Sequence, residues 1–271
     1  MVKLLIVGPN GNMGRALVKS GAKNPNVDLV GAVGPKGRPY IGSDLGLLVG
    51  LGTPLGVSVS DDLERAIEDC DVALECTKPS VSMEVLQACL KRRKAFATGT
   101  TGFTEAQEGR IQKAGESIPV LRASNGSPIV HLLFELVRLV SERVGEEADI
   151  DVIEMHARTK PDAPSGTARE IAGSIAETVG LDLDQVAEHG RVGMGTRGSS
   201  SIQFSSIRSG GTPSTHRVIF GFQNERLELA HCVYGAEAFA DGLMRGAVFV
   251  AGREAGTYGL EDALQEGRTG A

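Results

Sequence analysis

The sequence lacks the features of a nucleic-acid-binding protein. It contains no Trp, and aromatic residues make up only 4% of the chain, so platforms on which bases could stack are not expected. The 28 Lys and Arg residues are outnumbered by 34 Asp and Glu residues, which gives a formal net charge of −6. Because no basic patch is present to attract phosphates, we expect the partner to be a small molecule and not a nucleic acid.

The cysteines and apolar segments are also too sparse for several other classes of protein. Cys70, Cys76, Cys89 and Cys232 have no C-x-x-C spacing and no paired histidine nearby, which argues against a zinc site, any other metal site and a disulfide framework. No apolar run reaches the roughly 18 to 20 residues of a membrane span, and no apolar leader opens the sequence. We therefore expect a cytoplasmic protein without a membrane segment.

Strand-like and helix-like segments alternate in the first half of the chain. The predicted strands cover residues 3–7, 27–33, 71–76, 95–98 and 119–123, and the predicted helices cover residues 12–23, 80–92 and 104–117. Such alternation is typical of an α/β fold with a doubly wound, Rossmann-type parallel sheet. The 271 residues and their 41% hydrophobic content allow two domains.

The pattern changes after residue 125, where strands begin to follow one another without helices. Predicted helices at 129–144 and 165–179 flank a strand at 150–156, and further strands are predicted at 200–208, 216–222 and 226–233. This order indicates a second, α+β domain with a mixed or antiparallel sheet. We assign residues 1–125 and 238–271, with the last two helices, to a dinucleotide-binding domain, and residues 126–237 to a substrate-binding and oligomerisation domain.

A glycine-rich turn joins the first predicted strand to the first helix. Its sequence, GPNGNMG, supplies six candidate cofactor-binding residues, namely Gly8, Asn10, Gly11, Asn12, Met13 and Gly14. Glycines in this context let the backbone approach a pyrophosphate at a helix N-terminus. The alternative is a tight turn that binds no ligand.

The end of the second predicted strand bears on which nucleotide is bound. No carboxylate stands there to bind the ribose diol, but Lys36 and Arg38 could contact a 2′-phosphate, which favours NADPH. The alternative is that both are solvated loop cations, so the cofactor is NADPH or NADH. Thr77, Gly99, Thr100 and Thr101 follow later strands, and we expect them at the nicotinamide end unless they serve only as turn residues.

The segment 154–168 carries the candidate catalytic residues. His156 can donate a proton, Lys160 adds a positive charge, and the predicted helix at Ser165 offers free N–H groups to a carboxylate. These are the groups that reduction of a C=N or C=C bond in a small anionic substrate requires. The alternative is a structural histidine and a solvated lysine.

This segment resembles the signature of the dihydrodipicolinate reductase family, E-x-H-H-x-x-K-x-D-A-P-S-G-T-A, and matches it from Glu154 to Ala168 except at Ala157. The resemblance implies that His156 and Lys160 are catalytic. It also implies that Ser165, Gly166 and Thr167 hold a substrate carboxylate and that the protein is a homotetramer. Other matches run along the chain and include Gly8, Gly11, Gly99 to Gly102, Asn125, Arg208, His216 and His231. Among these we add Asn125 to the cofactor-binding residues.

The departures from the family pattern concern the substrate. Ala157 replaces the second histidine, Gly126 replaces a usual Phe, His131 a usual Asn, Ser214-Thr215-His216 a usual Gly-Glu-His, and Ala236 a common Arg. The resemblance implies NAD(P)H-dependent reduction of 4-hydroxy-tetrahydrodipicolinate, in its dehydrated form, in the lysine and diaminopimelate pathway. One alternative is a paralogous oxidoreductase that acts on a different carboxylate-bearing imine or carbonyl compound. Another is a nucleotide-binding sensor without turnover, which the intact pair of His156 and Lys160 disfavours.

Overall fold

The computed structural model describes residues 1–198 and 200–266. The chain forms two compact units, and each is described by itself. The first contains Met1–Pro128 and the chain from Ala236 onward, and the second contains Ile129–Gly235. These limits lie close to the predicted division at residues 126 and 237.

Strands and helices of very different lengths make up both units. The strands are β1 (Val2–Val7), β2 (Val27–Val33), β3 (Val59–Ser60), β4 (Val72–Glu75), β5 (Ala95–Thr98), β6 (Pro119–Arg122), β7 (Asp149–His156), β8 (Ala187–His189), β9 (Ile202–Arg208), β10 (Ser214–Gly221), β11 (Arg226–Val233) and β12 (Gly256–Tyr258). The helices are α1 (Asn12–Gly21), α2 (Leu45–Leu48), α3 (Leu63–Ala66), α4 (Pro79–Arg92), α5 (Glu105–Ala114), α6 (Pro128–Val144), α7 (Gly166–Thr178), α8 (Leu183–Val186), α9 (Glu237–Ala251) and α10 (Leu260–Glu266).

The first unit contains a seven-stranded sheet in the order β12-β6-β5-β4-β1-β2-β3, and all its pairs are parallel. Most side chains of its central strands are apolar because helices cover both faces. In β1, Leu4 and Ile6 pack in a core with α1 and α9, whereas Leu5 and Val7 pack with α4 and α5 on the opposite face. The predicted doubly wound α/β fold is confirmed.

The second unit contains a five-stranded sheet in the order β11-β10-β7-β9-β8. β10 is antiparallel to β7 and β11, but β9 is parallel to β7 and β8, so the sheet is mixed. The prediction of a second domain with a mixed or antiparallel sheet is confirmed, and β9 is not a neighbour of β10 although it precedes β10 in the chain. It lies on the far side of β7, because the chain between β9 and β10 crosses to the other edge of that strand.

The helices α6 and α7 cover one face of this mixed sheet. Val137 of α6 and Ile171 of α7 pack there against Val152 and Phe204. The opposite face carries exposed side chains, among them Ile207, which is 42% exposed, and Arg217, which is 52% exposed. Within the described ranges, no helix is long and apolar enough to cross a membrane, and no three His, Cys, Asp or Glu side chains are grouped around a possible metal site.

Candidate active site

The glycine turn between β1 and α1 is closely packed. Gly8 has a φ of +79°, and a Cβ on Gly14 would lie 2.0 Å from the carbonyl oxygen of Gly8, so neither position tolerates a side chain. Gly11 is the N-cap of α1, and a Cβ there would have only that same oxygen nearby, at 3.6 Å. The turn therefore leaves room above the N-terminus of α1, where Asn12 and Met13 follow.

A groove of about 1330 Å³ opens beside this turn, and its lining includes Gly8, Asn10, Gly11, Lys36, Arg38 and Lys78. The size and the cations suit a dinucleotide phosphate. Asp61 and Asp62 also line the groove, at the end of β3. Sequence reasoning placed no carboxylate at this position because β3 has only two residues and gave no strand signal.

A buried glutamate ties together the ends of β4 and β5. The Glu75 side chain is fully buried and accepts hydrogen bonds from the hydroxyls of Ser82, at 2.7 Å, and Thr100, at 2.9 Å, as well as from Thr98. It also accepts one from the backbone N–H of Thr77, at 3.0 Å. The predicted residues Thr77 and Thr100 are therefore held side by side through Glu75, whose role sequence reasoning missed.

The remaining candidate cofactor residues lie farther along the same edge or in the loop after β6. A Cβ on Gly99 would lie 2.6 Å from the sulfur of Cys76, so glycine is required there. Thr101 is exposed. Asn125 is buried, and its side-chain oxygen accepts a hydrogen bond from the backbone N–H of Ser127 at 2.8 Å.

In the second unit, a buried carboxylate lies at the centre of the candidate catalytic residues. Both oxygens of Glu154, on β7, accept hydrogen bonds from the guanidinium group of Arg208, at 2.7 and 2.8 Å. The backbone N–H of Ser165 donates to the same carboxylate at 3.3 Å. Glu154 therefore connects β7, β9 and the N-terminus of α7, a role that the signature alone did not reveal.

Opposing effects set the ionisation of Glu154 and His156. Burial raises the pKa of Glu154, but hydrogen bonds from Arg208 and Ser206 together lower it by more. The pKa of Glu154 is therefore below its ordinary value. Burial lowers the pKa of His156, and the positive charges of Lys160 and Arg208 add to this, while Glu154 opposes it. The protonated form of His156 is therefore a stronger acid than a free imidazolium.

The two ring nitrogens of His156 have different surroundings. Nδ1 lies 3.0 Å from the hydroxyl of Ser214. Nε2 is buried and lies 3.2 Å from Oε2 of Glu154, without the alignment of a hydrogen bond. The neighbouring histidine, His216, has its Nε2 at 3.3 Å from the hydroxyl of Ser165.

The predicted carboxylate-binding residues form the first turn of α7. Ser165 is its N-cap, and its hydroxyl accepts a hydrogen bond from the N–H of Ala168 at 3.2 Å. Gly166 is exposed, and a Cβ there would have no neighbour within 4 Å. Lys160 pairs with Asp162 at 2.8 Å. The structure thus brings His156, Lys160 and this turn together in one unit, and Thr167 follows Gly166 in the turn.

Gly126, where the family usually has Phe, has a packing reason in the first unit. A Cβ at this position would lie 2.3 Å from the carbonyl oxygen of Phe239 and 2.7 Å from Leu243, both on α9. Gly242 completes the contact, since its own Cβ would lie 2.0 Å from the oxygen of Gly126. An aromatic side chain at 126 therefore requires α9 to move.

Comparison with known proteins assigns the family. The family model described as dihydrodipicolinate reductase, N-terminus, matches residues 2–126, and the model of its C-terminus matches residues 129–264. The chain belongs to the dihydrodipicolinate reductase family. A 4-hydroxy-tetrahydrodipicolinate reductase of Alkalilimnicola ehrlichii is 40% identical over 97% of this chain and 98% of its own. That of Hahella chejuensis is 37% identical over 97% and 99%.

Solved structures agree with this assignment. The dipicolinate-bound dihydrodipicolinate reductase of Paenisporosarcina sp. TG-14 superposes with a TM-score of 0.75 at 25% identity, over 96% of this chain and 97% of that one. An amine dehydrogenase of Mycobacterium smegmatis, at 14% identity and a TM-score of 0.67, over 96% of this chain and 95% of that one, shares the fold alone. The predictions of a dihydrodipicolinate reductase family member and of an oxidoreductase that uses NADPH or NADH are confirmed.

Proposed function

We propose that the protein reduces the dehydrated form of 4-hydroxy-tetrahydrodipicolinate with NADPH or NADH in the lysine and diaminopimelate pathway. The observation that carries this proposal is the arrangement in the second unit. There, a buried histidine of lowered pKa, a lysine and an open helix N-terminus lie within one short segment, 156–167. These groups supply a proton and bind negative charge, which suits an anionic, unsaturated substrate.

The nucleotide, bound on the glycine turn, supplies the hydride. The protein's own residues have the other tasks. The first turn of α7, with Ser165, Gly166 and Thr167, binds a carboxylate at the positive end of the helix dipole. Lys160 adds a second positive charge, and His156 donates the proton. Glu154 holds the helix N-terminus through the hydrogen bond that the N–H of Ser165 donates, and its carboxylate lies 3.2 Å from Nε2 of His156.

Ala157 leads us to propose weak activity on this substrate. A second histidine would offer one more donor, and losing a hydrogen bond to a charged group costs about 1.5 to 3 kcal/mol, or roughly one to two decades in affinity. The assay follows oxidation of NADPH and of NADH by wild type and by Ala157→His. We expect the substitution to raise kcat/KM by about 10- to 100-fold.

Two results would change this conclusion. A wild-type kcat/KM of about 10⁴ M⁻¹s⁻¹ or more would show that Ala157 is a tolerated variation and would remove the paralogue alternative. No turnover by either protein would favour the alternative, an oxidoreductase acting on another carboxylate-bearing imine or carbonyl compound.

We further propose a homotetramer that forms through the uncovered face of the mixed sheet, and a location in the cytoplasm. The exposed Ile207 on that face supports the first, since an exposed apolar sheet residue gains from burial against a partner. The unpaired state of all four cysteines supports the second. Light scattering of Ile207→Lys should show a smaller species than wild type. Leu139→Lys, at an exposed position on α6, is the matched control.

A further inference from the structure

We propose that the hydroxyl of Ser214 relays the proton from His156 to the substrate. This inference rests on the proposed function, because it concerns how the proton of that reduction leaves the imidazole ring. The family usually has glycine at this position, so the relay would be a property of this chain and of any relative that also has serine there.

The surroundings of Nε2 of His156 exclude this nitrogen as the one that gives up the proton to the substrate. Nε2 of His156 is out of contact with solvent and faces the Glu154 carboxylate at 3.2 Å. That carboxylate is itself fully buried and paired with Arg208. A substrate therefore cannot approach this side of the ring, and a proton leaving from Nε2 would be directed towards the protein interior.

The other nitrogen, Nδ1, faces Ser214. The hydroxyl oxygen lies 3.0 Å from Nδ1, and Ser214 is half-buried whereas His156 is only 8% exposed. The hydroxyl therefore belongs to the more exposed of the two residues. A serine hydroxyl can accept one hydrogen bond while it donates another, which is what a relay requires.

The nearest other side chains are already engaged. The ring of His216 lies edge-on to His156 at 5.3 Å between centroids, and its Nε2 is at 3.3 Å from the hydroxyl of Ser165. Lys160 pairs with Asp162. Ser214 is therefore the neighbour of His156 that is best placed to receive its proton.

Atoms and electrons balance in the relayed step. The reduced nicotinamide gives a hydride, with its electron pair, to a carbon of the substrate double bond and is oxidised. At the other atom of that bond, the substrate takes the proton of the Ser214 O–H. As that bond breaks, the Nδ1–H bond of the protonated imidazole breaks and its proton restores the serine hydroxyl. Neutral His156 then recovers a proton from water.

The test compares Ser214→Ala and Ser214→Thr with wild type, since threonine keeps the hydroxyl. Ser117→Ala, at an exposed serine between α5 and β6, is the control. Single-turnover hydride transfer is measured in H₂O, in D₂O and in their mixtures. We expect Ser214→Ala to slow the step by about 10- to 100-fold, with little change in nucleotide affinity, and Ser214→Thr to recover most of the rate.

The isotope effects separate a relay from a purely structural role. Two protons move together in wild type, so the rate should vary with deuterium content along a curve. Any of three results would overturn the proposal. These are a linear dependence of the wild-type rate on deuterium content, a wild-type rate in Ser214→Ala, and an equal loss of rate in Ser214→Ala and Ser214→Thr.

A second measurement does not depend on turnover. Nitrogen NMR of the histidine rings, with the His156 signals assigned by their loss in His156→Gln, reports the hydrogen bond at Nδ1 directly. We expect Ser214→Ala to shift the Nδ1 resonance, and an unchanged resonance would refute the contact. If wild type fails to reduce the substrate, the proposed function is wrong, whereas a shifted resonance would still show Ser214 bonded to Nδ1.

Discussion

Acidification should destabilise the second unit through His216. Only 2% of this residue is exposed, and its Nδ1 is buried without a hydrogen-bond partner among the described residues. Burial first, and then the positive charges of His156 and His231, lower its pKa from 6.5 to about 4. The folded protein therefore resists a proton that the unfolded chain accepts readily.

The direction and the size of the change in stability with pH follow from this difference in pKa. The stabilisation is complete above about pH 6.5 and is lost as the pH falls from there to about 4, because only the unfolded state gains the proton in this range. A difference of 2.5 pKa units, from 6.5 to about 4, corresponds to about 3 kcal/mol. Below about pH 4 both states are protonated, and this residue contributes no further loss.

Urea unfolding across pH 7 to 4, read by hydrogen exchange of the β10 amides, tests this prediction. Wild type should lose about 3 kcal/mol more than His216→Asn over the range, while the variant starts from a lower stability at pH 7. His189→Asn, at an exposed position, is the control and should follow the wild-type curve. Equal slopes for wild type and His216→Asn would refute the reasoning.

Three further predictions concern binding and catalysis. Gly11→Val should abolish nucleotide binding in calorimetry. Gly109→Val, in an open position on α5, should retain it. Micromolar affinity of Gly11→Val for both nucleotides would contradict the placement of the cofactor. Lys36→Glu should weaken NADPH more than NADH, whereas an equal effect would show a solvated lysine. His156→Ala should lower kcat by about 10² to 10⁴-fold with unchanged nucleotide affinity, and a wild-type rate would remove the proposed acid.

Most of the first sheet was predictable because β1, β2, β4, β5 and β6 are mainly apolar runs. The strands β3 and β12, with two and three residues, are too short to leave a pattern. The neighbour of β9 was not predictable either. Alternation of apolar residues tells which face of a strand is buried, but it does not tell which strand lies beside it.

In the candidate site, too, residues close together in the sequence could be predicted to lie together, whereas contacts between distant segments could not. His156, Lys160 and Ser165 stand within one motif, so their proximity could be inferred from the chain. Glu75 and Ser214 gave no such signal, because Thr98 and Thr100, which contact Glu75, and His156, which contacts Ser214, lie on or after other strands. The contact of Ser214 with His156 depends on the pairing of β10 with β7, which the sequence does not state.

The arrangement of the first unit has a consequence for synthesis on the ribosome. Its strands β1 to β6 emerge first, yet α9, which packs against β4, β5 and β6, and β12, which pairs with β6, are made last. The segment 129–235, in contrast, is continuous, and all of its sheet is available before α9 is translated. Until α9 is made, β4, β5 and β6 of the nascent sheet therefore lack the helix that packs against them. A premature stop near residue 236 would damage the first unit and spare the second.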